Sequence, residues 1–169
     1  MIISHFLLAL TAGLFIGNLG EYWAHRMQHL GIVKVGPHQK HHTQNKPRPG
    51  WLYEYWGYLR PSLFVMVPVS CVLYLTITTE VAVGWFIGVL ISIAITAYVH
   101  ELTHVNPHLI FWLKQPIHHT HHTYEQTTYN FGVTHALWDK LFGTYRDDPS
   151  WKQSQKQTYK SGAFLIRWF

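Results

Sequence analysis

Residues 61–79 read PSLFVMVPVSCVLYLTITT, Glu80 follows, and residues 81–99 read VAVGWFIGVLISIAITAYV before His100-Glu101-Leu102-Thr103-His104. Pro61 to Thr79 contains no Asp, Glu, Lys or Arg, and neither does Val81 to His100. A helix needs about 20 apolar residues to cross the hydrocarbon core of a bilayer, and each run has that length. Glu80 alone separates them, which predicts a tight helical hairpin with its turn in water or among headgroups. A third window, Met1 to Gly20, is also free of the four charged types. A soluble helical core rarely holds three such runs, so the expectation is three membrane-crossing helices over about residues 2–20, 61–79 and 81–99. The opening MIISHFLLAL has no basic residue, unlike a signal peptide, and reads as a membrane helix that continues through Glu21-Tyr22-Trp23. Pro68 is expected to kink the second helix, which neighbouring helices accommodate.

Composition narrows the class further. The 169 residues carry 12% charged and 16% aromatic side chains. Disordered chains show the opposite balance. A single cysteine, Cys71, excludes an internal disulfide, a thiolate zinc site and a cysteine-ligated iron–sulfur cluster. The mean hydropathy of -0.01 averages membrane runs with polar ones. All 13 Lys and Arg lie between the first and second windows or after the third. The positive-inside rule makes that side cytoplasmic and the amino terminus external. The basic excess is spread along these loops, which suits anionic headgroups or an acidic protein partner better than nucleic acid. His108 to Leu113 is apolar but too short to span, and is expected to lie along the interface or re-enter it. Phe164 to Phe169 is expected either to rest there or to fray. No repeat or linker marks a second domain, so 1–169 reads as one membrane-embedded, all-α domain. Its three transmembrane helices and an interfacial helix are capped by a cytosolic histidine-rich helical region at 21–60 and 100–145.

The 14 histidines carry the chemistry. His25 and His29 frame HRMQH, and His100 and His104 frame HELTH. Spacing i, i+4 puts both imidazoles of each pair on one helix face. HQKHH supplies His38, His41 and His42, and HHTHH supplies His118, His121 and His122. At about 8% histidine, chance supplies such a triplet on the order of 0.1 times in this length, and it occurs twice. Pro37 and Pro116 precede the triplets and predict that each opens a short helix. Ten imidazoles exceed the roughly four ligands of one zinc, so two metals with about five each fit the count. Imidazole suits iron, zinc, copper and nickel. The eight carboxylates are too few and too scattered for a carboxylate-bridged di-iron bundle. They are expected to orient histidine N–H groups, with Glu21, one turn before His25, as one candidate. His5, His108, His119 and His135 are left outside the ligand set.

HRMQH, HQKHH, HELTH and HHTHH, in that order around a membrane hairpin, resemble the fatty acid hydroxylase/sterol desaturase superfamily, as does NFGVTHALWDKLFGTY at 130–145. The resemblance covers Glu21 to Tyr145. It implies a membrane di-iron oxygenase in which the ten histidines hold two irons, or zinc as purified. With O2 as co-substrate, such a centre hydroxylates an unactivated C–H of a lipid. The hydroxylase branch is favoured by the 130–145 segment, and desaturation shares the same metal chemistry. A carotenoid ring hydroxylase is the alternative substrate class, but the first box in those enzymes is usually HxxxxH, so HRMQH tilts toward a fatty-acyl or sterol-like lipid. The chain has no haem, flavin or nicotinamide motif, so electrons are expected from a separate acidic donor such as a ferredoxin or cytochrome b5. A metal-binding or metal-transport protein is the alternative from another class. It should place ligands near the membrane midplane, where Leu73 to Thr79 and Gly84 to Ile95 have none.

Overall fold

A computed structural model describes residues 2–33, 38, 40–42, 50–123, 127–151 and 163–169. Three helices dominate: α1 (Ile2–His29), α2 (Trp51–Thr76) and α3 (Thr79–Val105). Each is long and apolar enough to cross a membrane. Two short helices follow, α4 (Ile117–Thr123) and α5 (Leu137–Leu141), and no strand occurs among the described residues. The expected all-α class is observed, with longer helices than the uncharged windows suggested. α1 and α3 run on through HRMQH and HELTH, and α2 begins ten residues before Pro61 and continues through both Pro61 and Pro68. Loss of apolar character marks where a helix leaves the hydrocarbon, not where its hydrogen bonding stops. Glu80 likewise belongs to the first turn of α3 rather than to the connection. Thr78 caps that helix, accepting from the Val81 N–H at 3.4 Å.

α3 is the central element. Half of its most apolar window is buried, against 11% for α1 and for α2. α1 and α2 both pack on α3 and scarcely on each other. Glycine lets α1 and α3 meet backbone to backbone. A Cβ on Gly88 would lie 2.2 Å from the Leu10 carbonyl oxygen, and one on Gly13 would lie 2.3 Å from that of Trp85. Close approach through small residues is how membrane helices gain packing energy where no hydrophobic drive exists between them. Phe6 faces Gly84, Leu10 faces Gly88 and Gly17 faces Ser92, so the two helices run parallel. Their histidine pairs therefore emerge at the same end.

Within 108–113, expected to lie along the interface or re-enter it, the chain is not a regular α-helix, and Phe111 and Trp112 are exposed. Pro107–Leu109 forms one 3-10 turn, and Ile110 is buried with Val99, Leu102, Val133 and Ile166. Phe164 to Phe169 is docked rather than frayed. The Arg167 and Trp168 carbonyls accept from the Trp51 and Leu52 N–H groups at 2.7 and 3.2 Å, supplying partners that the first turn of α2 lacks internally. The Arg167 Nε donates to the fully buried Glu101 at 2.6 Å.

The glycine contact is testable. Gly88→Val must push α1 from α3, and overpacking of this kind costs about 2 kcal/mol, a fall in Tm of about 5 °C in detergent. A Cβ at Gly20 meets nothing within 4 Å, so Gly20→Ala is expected to hold or raise Tm. An unchanged Tm for Gly88→Val would contradict the packing described.

Candidate metal centre

Four segments deliver histidines to one place. The last turns of α1 bring His25 and His29, those of α3 bring His100 and His104, and α4 brings His118, His121 and His122. His38 and residues 40–42 are helical; Pro37 lies outside the described residues. Ile117, immediately after Pro116, opens α4 as the sequence predicts. Ligand atoms of His25, His29, His42 and His121 all lie within 4.8 Å of one another, and those of His41, His100, His104 and His118 form a second such group. His38 adjoins the first group, its Nε2 lying 3.2 Å from that of His29. His122 adjoins the second, its Nε2 lying 3.1 Å from that of His118. Each triplet is thus divided between the groups, which meet where the His42 and His122 rings stack with centroids 4.0 Å apart.

The outer ring nitrogens reveal how the inner ones are aimed. His25 Nδ1 lies 2.6 Å from the Phe131 carbonyl oxygen and His121 Nδ1 lies 2.7 Å from that of Tyr129. A carbonyl only accepts, so each Nδ1 carries the proton and each Nε2 presents a lone pair inward. His29 Nε2 sits 3.0 to 3.2 Å from the Nε2 atoms of His25, His38, His42 and His121. One N–H cannot satisfy four such neighbours. Lone pairs therefore face one another, an arrangement a cation would stabilise. On the second group, Glu54 Oε2 stands 3.5 Å from His100 Nδ1, the position of a carboxylate that orients a ligand. Burial, then the neighbouring imidazoles, push the pKa of His118 and His122 well down and hold His42 at about 2. Neutral imidazoles are the form that binds a metal.

The 130–145 segment supplies the brace. Asp139 is fully buried and accepts from the Phe131 and Gly132 N–H groups at 2.8 Å each and from Thr144 at 2.8 Å. That fixes the Phe131 carbonyl on His25. Burial pushes the Asp139 carboxyl up while these donors hold it down. Asn18 accepts from Trp138 Nε1 at 2.9 Å and Tyr22 bonds Thr144 at 2.9 Å, which ties the segment to α1. Glu21, the sequence candidate for orienting His25, does not do so: that nitrogen is already on Phe131. Sequence reading missed Glu54 and the Tyr129 and Phe131 carbonyls, because a partner from another segment leaves no spacing signal. His5, His108, His119 and His135 belong to neither group.

Beneath the histidines a cavity of about 520 Å³ lies between α1, α2 and α3. Its walls run from His25, His38, His41, His100 and His118 to Ile16, Val65, Met66, Trp85 and Val89.

Parallel membrane-length helices ending in paired imidazoles, above an apolar cavity, define an integral membrane protein built round a polyhistidine centre. Residues 10–144 match the fatty acid hydroxylase family model, and the chain belongs to that family. It is 25% identical to the lathosterol oxidase of Mus musculus over 167 aligned positions, covering 92% of this chain and 50% of that protein. The Homo sapiens lathosterol oxidase is 25% identical over 158, covering 86% and 48%. An ornithine lipid hydroxylase of Rhizobium tropici is 27% identical over 146, covering 81% and 41%. The chain thus spans about half the length of the curated relatives it matches. No solved structure matches it.

The lowered histidine pKa values fix a pH response. Above about pH 6.5 His42, His118 and His122 are neutral both folded and unfolded; below it the unfolded chain binds protons that the fold refuses. The metal-free protein should therefore lose stability as pH falls from 7.5 to 5.5, by up to about 1.4 kcal/mol per pH unit for each of His118 and His122 and by less for the part-exposed His42. Thermal melting in chelator checks this, and a flat profile would contradict it.

Proposed function

We propose that this protein is an O2-dependent membrane oxygenase that hydroxylates an unactivated C–H of a fatty-acyl or sterol-like lipid. The carrying observation is the convergence of eight imidazoles in two groups of four, with His38 and His122 beside them, at the end of a largely apolar cavity. An alkyl C–H has no acidic proton, so side-chain acid–base chemistry cannot attack it, and a redox cofactor must supply the difficult step. The donor set fits two first-row metal ions: His25, His29, His38, His42 and His121 would hold one, and His41, His100, His104, His118 and His122 the other. Two irons there would supply the O2-activating redox chemistry, fed by electrons from an acidic partner such as a ferredoxin or cytochrome b5.

The chain's own residues do the rest. The Phe131 and Tyr129 carbonyls hold protons on His25 and His121 Nδ1, keeping Nε2 free to ligate. The apolar walls excludewater from the reacting end of the lipid, and the gap between α1 and α2 is where a bilayer lipid would enter. The distribution of Lys and Arg supports a histidine centre on the cytoplasmic face and an external amino terminus. The lathosterol oxidase and ornithine lipid hydroxylase relatives support a lipid substrate.

Iron-loaded protein supplied with ferredoxin, its reductase, NADPH and a lipid extract should give O2-dependent products about 16 Da heavier, or about 2 Da lighter for desaturation, by mass spectrometry. His121→Ala should abolish them while the protein stays in the membrane. Products that persist without O2, or in that variant, would overturn the proposal.

A further inference from the structure

One turn below the histidines, two residues that line the lipid cavity each carry an unpartnered side-chain oxygen. These are Glu21 and Thr96. Glu21 Oε2 accepts from the Val133 N–H at 3.4 Å, while its buried Oε1 has no hydrogen-bond partner. Thr96 is 1% exposed and its Oγ1 is likewise unpartnered. The hydroxyl of a helical threonine or serine has a ready alternative in the carbonyl four residues earlier. Thr11, Ser62, Thr76 and Thr103 all take it, at 2.7 to 2.9 Å. Thr96 does not. An unmet buried polar group costs stability, so two of them in one cavity point to a ligand that meets them.

Helix register places them together. α1 and α3 are parallel and Gly17 touches Ser92. One turn on, at i+4 in each helix, come Glu21 and Thr96; another turn on come His25 and His100. The His25 and His100 rings both flank His118, with centroids 5.2 and 4.5 Å away. A carboxyl group accepts through either oxygen and, when protonated, also donates; the threonine hydroxyl both donates and accepts. A lipid hydroxyl does both as well, so it meets Glu21 and Thr96 whichever of them donates.

The geometry points to Glu21 and Thr96 as a clamp for a hydroxyl on the lipid substrate, selecting a hydroxylated lipid over its deoxy counterpart. This rests on the reading of the cavity as the lipid site. One helical turn is about 5.4 Å, so the clamp also sets the oxidised carbon a few bonds from the held hydroxyl. Both residues are specificity-determining, and neither is assigned to hold metal.

Binding to the zinc-loaded full chain in detergent, followed by tryptophan fluorescence, tests this without turnover. The probes are two matched pairs: cholesterol with cholest-5-ene, and hexadecan-1-ol with hexadecane. In at least one pair the hydroxylated lipid should bind about tenfold more tightly, the worth of one to two net hydrogen bonds. Glu21→Leu and Thr96→Val should each cut that preference to about twofold or less, leave the deoxy lipid's affinity unchanged, and retain wild-type metal content on reloading. Equal binding within both pairs, or a preference that survives both variants, would overturn the clamp alone. Loss of metal in either variant would overturn it too, by placing that residue in the metal site. Failure of all four lipids to bind would overturn the reading of the cavity itself.

Discussion

Imidazole lone pairs turned toward one another are the constraint on which the rest of this structure depends. His29 Nε2 has four other ring nitrogens within 3.2 Å, and His41 Nε2 lies 3.2 Å from that of His100 and 3.4 Å from that of His118. These ring nitrogens face one another, and burial of His42, His118 and His122 opposes the protonation that could otherwise relieve the contact. Positive charge at the centre of each group would stabilise it, which is why the proposed metals and the fold are one problem.

Two devices hold that arrangement. Glycine contacts let α1 and α3 run parallel at backbone distance, so that HRMQH and HELTH leave the apolar region at one level. Asp139 then gathers the Phe131 and Gly132 amides and leaves the Phe131 carbonyl on His25. Both act at a distance from the lone pairs, yet each decides where those lone pairs point. Arg167 on Glu101 ties the 163–169 segment to α3 beside His100 in a comparable way.

Much of this was legible in the residue order. Uncharged runs announced three long helices, and i, i+4 pairs announced which faces would carry imidazoles. The triplets announced that four segments must converge. Helix limits were less legible, since Trp51 to Arg60 and the histidine boxes are polar or aromatic yet remain hydrogen-bonded as helix. Partners from remote segments left no trace in spacing: Glu54 beside His100, the Tyr129 and Phe131 carbonyls, and the unmet Thr96 hydroxyl emerge only once the helices are packed. The same holds for Ile110, whose apolar neighbours suggested an interfacial stretch but whose side chain completes a core.

The central claim is that the two histidine groups are two metal sites. Metal content per chain, measured on purified full-length protein after iron loading, tests it most directly. About two tightly held ions per chain are expected, falling to about one in His104→Ala, which removes a ligand from the second group only. A single ion per chain in the wild type, or ions that exchange freely with a weak chelator, would contradict it.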